Sequence, residues 1–240
     1  MRTYDVVEEV TAEDGTPFRV VIEYDQDTYD LNPRDNDCPA GRIVAISRDS
    51  RNSVAPQEDS DDRYSRANAA SIVDAIQDHD FQTVARWLRI FHGATTVLPL
   101  WDVSTTYGAM ELSAGNVTDN PRADRYAGVT FDTPATRKTT GVLPEDMPHA
   151  LATDVDEYAT WARGEVFGWI IQRGELDKDG DVDWEEDLNE DAVWGHIGED
   201  YAREAARIGL DDFIRAYDTD HPDLTGEVDD LRRTELGIPA

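Results

Sequence analysis

The densest group of side chains that could bind a ligand lies at 177–187, where the sequence reads DKDGDVDWEED. Aspartates alternate there with other residues, as they do in D-x-D-x-D loops, whose oxygens converge on Ca²⁺. Such a loop also needs Gly at its sixth position and a bidentate Glu at its twelfth, where this chain has Val182 and Leu188. The pattern therefore indicates a solvated acidic hairpin or weak, low-specificity cation binding, and no metal site or cofactor is predicted.

Other reactive residue types lack the neighbours that catalysis requires. The five histidines form neither H-x-x-H nor H-E-x-x-H spacing, so zinc binding is not expected. Ser104 lies outside any G-x-S-x-G motif, and the acids around Cys38 disfavour its reactive thiolate form. His196, close to Trp194, is more typical of a packed histidine than of a catalyst. We therefore expect no catalytic residue; an enzyme would need a cleft at His196 or a carboxylate pair with shifted pKa values.

The charge of the chain excludes several classes of function. Its 240 residues include 52 Asp and Glu against 22 Lys and Arg, which gives a formal net charge of −30. A chain this acidic is not expected to bind nucleic acid or an anionic membrane through a basic face. It has no apolar run of transmembrane length, and its start, MRTYDVVEEV, lacks the pattern of a signal peptide. These features predict a cytoplasmic protein. Its single cysteine, Cys38, excludes an intramolecular disulfide.

Mixed strand and helix signals predict an α+β fold with a mostly antiparallel sheet and helices packed on one side. Strand patterns that are expected to share one sheet occur at 4–10, 17–24, 95–103, 126–132, 166–172 and 192–197. Helical periodicity occurs at 64–78, 81–91, 144–163, 199–217 and 223–236. Leu151, Val155 and Tyr158 are expected to pack helix 147–163 on the sheet. The chain, 1–240, is predicted to be a single domain, with 49–63 as a flexible loop or linker.

Several stretches resemble, in the same order, a family of uncharacterised proteins from bacterial phages and plasmids. They are NPRDNDCPAGRIVAISR (32–48), LPLWDVSTTYGAMELS (98–113), YAGVTFDTPATRKTTG (126–141), VDEYATWARGEVFGWII (155–171) and VWGHIGEDY (193–201). These stretches cover about a third of the chain. It implies a mobile-element protein that acts inside a bacterial or archaeal cell, and it carries over no activity and no catalytic residue. The acidity, the early hairpin and the helices at 64–91 depart from the family pattern.

Two hypotheses account for the acidity. In the first, the chain mimics DNA and inhibits a host defence nuclease or another DNA-binding protein; 30 charges match roughly 50 Å of duplex, at one charge per ~1.7 Å. In the second, it is an accessory or binding protein without catalytic activity, adapted to a salty cytoplasm that screens its carboxylates. Lys138 and Lys178 are its only lysines, which suits this second hypothesis. One long acidic face would favour mimicry, and evenly spread acids would favour salt adaptation.

The segment 175–200 is the local candidate for a partner contact, because it holds 12 acidic residues and one base, Lys178. A short turn would be enough to link the two predicted strands that flank it. The acidic residues hypothesised to contact a basic DNA-binding protein of the host, as phosphate surrogates, are Asp177, Asp179, Asp181, Asp183, Glu185, Glu186 and Asp187. The alternative is a solvated loop without a role.

Overall fold

The computed structural model describes residues 5–28, 31–33, 39–46, 66–103, 111–115 and 125–221, with the backbone alone at 66–71, 125 and 185–189. The chain divides into two compact units, Met1–Gln26 with Val166–Ala240 and Asp27–Glu165. We call the first the acid-rich unit and the second the central unit. The predicted loop or linker at 49–63 and the helical stretch at 223–236 lie outside the described residues. That all 240 residues form a single domain stays a prediction.

Strands and helices alternate irregularly along the described residues. The strands are β1 (Asp5–Thr11), β2 (Pro17–Tyr24), β3 (Arg42–Ala45), β4 (Val97–Asp102), β5 (Leu112–Ala114), β6 (Arg125–Phe131), β7 (Val166–Leu176) and β8 (Val182–Ile197). The helices are α1 (Arg66–Asp78), α2 (Phe81–Phe91), α3 (Pro134–Thr140), α4 (Met147–Ala162) and α5 (Glu199–Asp220). The α+β class and the antiparallel pairing are as predicted.

The strands form two sheets rather than the one that was predicted. One sheet has the order β1-β2-β7-β8 and the other the order β3-β6-β4-β5, and all pairings are antiparallel. The expectation of a shared sheet was therefore wrong. Local alternation identifies a strand, but the partner of that strand is chosen by packing between residues that are far apart in the chain.

The sheet of the acid-rich unit has its core between β2, β7 and α5. Alternate residues of a strand face the same side, and those facing the helix are Phe18, Val20, Ile22, Phe167, Trp169 and Ile171. Small residues on α5, Ala202 and Ala206, let the helix lie close to them. Gly209 serves the same purpose, because a Cβ there would lie 2.8 Å from the Trp169 ring. The helix position therefore depends on small residues opposite large ones.

The β7–β8 hairpin corrects the picture of 175–200 as a projecting loop. The strands predicted at its two ends are present, but β7 continues to Leu176 and β8 begins already at Val182. Gly174 makes room for this pairing, since a Cβ there would meet the side chains of Val182 and Trp184 at 2.4 and 3.0 Å. The regularly spaced acids hid a strand whose apolar positions, Val182 and Trp184, lie over Gly174. The segment is therefore not expendable as a whole.

The central unit has helices on both sides of its sheet. Along β3, Val44 packs with α1 and α2, whereas Ile43 and Ala45 pack in the cluster that contains Val155 and Tyr158 of α4. Leu151 is fully buried at the start of α4, beside Met147 and Ala40. The predicted inward face of this helix, Leu151, Val155 and Tyr158, is thus confirmed.

Candidate functional site

The acidic residues are unevenly divided between the two units. The acid-rich unit has 29 Asp and Glu against 9 Lys and Arg, a net charge of −20 on 101 residues. The central unit has 23 against 13, a net charge of −10 on 139 residues. The acid-rich unit is therefore the candidate surface for a basic partner.

The turn between β7 and β8 is built around Asp177. Its Oδ1 accepts hydrogen bonds from the backbone N–H groups of Asp179 and Asp181, both at 2.9 Å. Its own N–H donates to the Asp181 carbonyl at 2.8 Å, and Gly180 has a φ of 86°, which favours glycine. Asp177 therefore holds the turn together, and the side chains of Asp179 and Asp181 are exposed.

The predicted contact residues at 185–187 lie where β8 bulges. Between the pairs Gly174–Trp184 and Gln172–Asn189, β7 advances by two residues and β8 by five. Three residues of β8 are therefore extra in this stretch. A bulge re-aims the side chains of a strand and is common near binding sites. The side chains at 185–187 lie outside the described residues.

The four predicted contact residues whose side chains the structure describes are divided between the turn and β8. Asp177, Asp179 and Asp181 share the turn, and Asp183 lies on β8 opposite Glu175 of β7. In the part of the chain that the structure describes, no three His, Cys, Asp or Glu side chains are arranged to hold a metal ion. The turn joins two strands, and Val182, at the position where a calcium loop needs Gly, already belongs to β8.

β8 is an edge strand with an acidic, exposed surface. It lies at the end of the sheet order, and its residues from Glu190 to Trp194 are exposed. An edge strand of 16 residues would invite pairing with another chain, and both charges and bulges prevent such pairing. β1, at the other edge, has the same two features, with a bulge between Val6 and Glu8 and exposed acids. Part of the acidity therefore protects the sheet edges.

The outer side of α5 adds carboxylates that the sequence analysis did not single out. Ala202, Ala206 and Leu210 are buried, so residues about half a turn away face outward. Those carrying carboxylates in exposed positions are Asp200, Glu204, Asp211 and Asp212. Asp200, Glu204 and Asp211 are spaced by four and seven residues, which was a signal in the sequence because residues so spaced share one face of a helix.

Two arginines of α5 face β1 rather than the outer carboxylates. Arg203 bonds Asp5 of β1 at 3.0 Å and Glu199 at 2.8 Å, and Arg207 lies 3.9 Å from Glu8. These contacts tie the helix to the edge strand at the protein surface, where each contributes little to stability. Because the bases are placed in this seam, the charge of the rest of the surface stays strongly negative.

His196 packs against the side chain of Tyr201, whereas the sequence analysis named Trp194 as its aromatic neighbour. The two rings lie 5.5 Å apart, and on β8 His196 is paired with Phe167 of β7. Burial lowers the pKa of His196, which favours the neutral ring. Its buried Nε2 has no hydrogen-bond partner among the described residues. Cys38 and Ser104 lie outside the described residues.

Among the described residues, Asp132 of the central unit is a buried carboxylate with several hydrogen-bond donors, and no sequence pattern predicted it. Its side chain is fully buried at the end of β6 and accepts hydrogen bonds from Thr95, Thr96 and the Arg137 guanidinium. Burial by itself would raise the pKa of Asp132, but these donors outweigh it and the pKa lies below the ordinary value. Every donor belongs to the protein's own framework, so this is a structural centre.

Asp154 of α4 is a second partly buried carboxylate of the central unit. It accepts the backbone N–H groups of Ala40 and Gly41 at 2.8 and 3.2 Å and so fixes the chain before β3. Burial raises the pKa of Asp154, and the two N–H donors compensate only partly. This carboxylate too has a structural role.

Comparison with known proteins adds no family to these observations. No protein-family model matches the chain, and neither a curated protein nor a solved structure matches it. Among the described helices, none combines the length and the apolar character needed to cross a membrane.

Proposed function

We propose that the acid-rich unit binds a basic DNA-binding protein of the host cell in place of DNA and thereby inhibits that protein. A mobile element would need such an inhibitor against a defence nuclease. The density of charge carries this proposal. At one charge per ~1.7 Å, the net charge of −20 corresponds to about 34 Å of duplex. The longest helix of the unit, α5 with 22 residues, is about 33 Å long.

The placement of the carboxylates supports the same proposal. They line the β7–β8 turn, both edge strands and the outer side of α5, whereas Arg203 and Arg207 are used in the seam between α5 and β1. A protein that binds duplex DNA gains affinity from many phosphate contacts rather than from one. A surface with many separate carboxylates offers the same kind of contact.

Binding should therefore depend on salt as DNA binding does. The test captures proteins from a host lysate on the immobilised chain at low salt, with and without excess duplex DNA, and elutes them with concentrated KCl. We expect DNA-binding proteins whose capture duplex DNA abolishes, because both ligands use one basic surface. Captured proteins that do not bind DNA, or capture that is insensitive to the duplex, would contradict the proposal.

The acidic arm is tested with the partner obtained in this way. One variant neutralises the arm by Asp179→Asn, Asp183→Asn, Glu185→Gln and Glu186→Gln, and leaves Asp177 in place because it holds the turn. The matched control neutralises four exposed acids of the central unit, by Asp74→Asn, Asp78→Asn, Glu145→Gln and Asp146→Asn.

Both variants lose four negative charges, so a difference between them reports position rather than net charge. We expect the arm variant to associate more slowly and to lose affinity less steeply with rising salt, because fewer ionic contacts remain. The control should behave like the wild type. Equal slopes and affinities for all three proteins would show that the arm is not the contact.

A second candidate function is that of a salt-adapted binding protein without catalytic activity. One observation favours it: Asp183 and Glu175 lie directly opposite each other on β8 and β7. Like charges in this position destabilise a sheet in dilute buffer, and concentrated salt screens their repulsion. The KCl dependence described in the Discussion separates the two candidates.

A further inference from the structure

Large apolar side chains are exposed on two helices of the described structure. Ile90 and Phe91, at the end of α2, are 63% and 69% exposed. Tyr201 and Ile208, on α5, are 62% and 56% exposed. Single exposed apolar residues are common, but adjacent ones on a helix face form a patch of the kind that contacts other molecules.

The exposed face of α2 is apolar and basic. The helix contains no Asp or Glu, in a chain of net charge −30. At 100° per residue, Ile90 points away from the core, with Arg86 and Arg89 on one flank and Trp87 and Phe91 on the other. Both arginines are exposed, and the rings of Trp87 and Phe91 lie 6.0 Å apart. We call this surface the basic face.

The exposed face of α5 has the opposite charge. Tyr201 and Ile208 are seven residues apart and therefore share the outer side of the helix. Glu204 and Asp211, one turn before and after Ile208, are exposed carboxylates on the same side. The core residues of α5 face the sheet of the acid-rich unit, so most of this surface is not used in packing there; Tyr201 does touch the unit, at the ring of His196. We call it the acidic face.

We propose that the basic face of one molecule docks against the acidic face of a second copy of the same chain. Ile90 and Phe91 would bury their apolar surface against Tyr201 and Ile208, with Arg86 and Arg89 opposite the carboxylates. Because the two faces are different, each contact joins the basic face of one molecule to the acidic face of another. The acidic face belongs to the carboxylate surface of the proposed function, so self-association would compete with a basic partner there, but the inference does not require that function.

Charge explains why a second copy fits this surface. Two molecules with a net charge of −30 repel each other wherever acid meets acid. At about 0.15 M KCl the Debye length is ~8 Å, so the charges close to the contact dominate. The basic face carries charge opposite to that of the acid-rich unit. Its apolar side chains can also bury the apolar side chains of the acidic face.

The test uses one variant for each face. Phe91→Asp places a carboxylate in the basic face, and Ile208→Arg places a base in the acidic face. The oligomeric state is measured by sedimentation velocity in about 0.15 M KCl at up to about 100 µM protein. Leu176→Asp, at an apolar position 59% exposed near the β7–β8 turn, is the control. Circular dichroism shows whether each variant is folded.

We expect the wild type and the control to associate, and each face variant alone to associate about tenfold more weakly or not at all. An equal mixture of the two face variants should form dimers and nothing larger, because one intact contact remains between them. Should one variant not fold, Arg89→Glu and Glu204→Arg replace the pair. A monomeric wild type, association unaffected by either variant, or a mixture that fails to associate would overturn the proposal.

Discussion

The acid-rich unit carries its carboxylates on the surface, whereas the central unit places Asp132 in its interior and Asp154 partly so. In the central unit each of these two carboxylates is surrounded by N–H or O–H donors that hold neighbouring segments in place. In the acid-rich unit the carboxylates lie on edge strands, on a turn and on the outer side of a helix. Carboxylates thus hold segments together inside the central unit and set the electrostatic field around the acid-rich unit.

The two sheets also protect their edges differently. The edge strands of the central sheet, β3 and β5, have four and three residues and offer little backbone for pairing. Those of the acid-rich sheet, β1 and β8, have 7 and 16 residues and are bulged and acidic. Long edges require charge, so acidity in this unit has a structural use besides any partner. Experiments must therefore separate these uses.

The largest expected effect is at the buried carboxylate. Asp132→Ala should lower the free energy of unfolding by about 3–5 kcal/mol, because it leaves Arg137 and two backbone N–H groups without their acceptor. Chemical denaturation measures this, and Asp132→Asn, which keeps one acceptor oxygen, should lose less. A cost below about 1 kcal/mol for the alanine variant would contradict a structural role for Asp132.

The same carboxylate predicts a pH dependence. Its pKa in the folded protein lies below the ordinary value of 3.8, so its stabilisation is complete above 3.8 and disappears as the pH falls through the lowered value. The wild type should lose stability over this acid range more steeply than Asp132→Asn. Parallel pH profiles would show that Asp132 contributes no such linkage.

The next effect tests the cores of the two units. Leu151→Ala in the central unit and Leu210→Ala in the acid-rich unit should each cost about 2–5 kcal/mol, because both side chains are buried. Hydrogen exchange shows which amides lose protection. If the chain is a single domain, the amides of β6 and β7 should lose protection together in each variant. Loss of protection in only the unit that carries the substitution would establish two domains. A cost below about 0.5 kcal/mol would contradict the placement of that leucine.

The smallest effect is the dependence on KCl. If the acidity is an adaptation to salt, the thermal midpoint should rise steeply between about 0.05 and 3 M KCl, as screening reduces repulsion. Amides of β7 and β8 should gain more protection than those of β4 and β6, because the acid-rich unit has the larger net charge. A flat midpoint would count against salt adaptation and favour acidity kept for a partner.

Local signals in the sequence were enough to locate most elements. Helix α2 was predicted at 81–91 and has those bounds, because its apolar spacing is regular and Asp80 caps it through the Thr83 N–H. Asp14-Gly15 marked the first hairpin correctly. Helix α3 was missed, since only its Thr133–Thr136 capping box and Pro134 indicated it, without an apolar periodicity.

The candidate site was predictable only in part. The acidic residues in 175–200 were visible in the sequence, but most of β8 was not, because alternating acids conceal the apolar positions Val182 and Trp184, which lie over Gly174. The role of Asp177 in the turn and the outer carboxylates of α5 required the fold. Asp132 had no signal in the sequence, since its donors come from residues about 37 positions earlier and from α3.

The sequence by itself determined the α+β class, most of the strands and helices and the strong negative charge, because each depends on residue type and short spacing. Tertiary structure decided that the strands form two sheets, that acid is concentrated in one unit, and that a few carboxylates are buried. Those outcomes depend on which distant segments pack together. The free energy of that packing comes from residues far apart in the chain, which no local sequence pattern relates to each other.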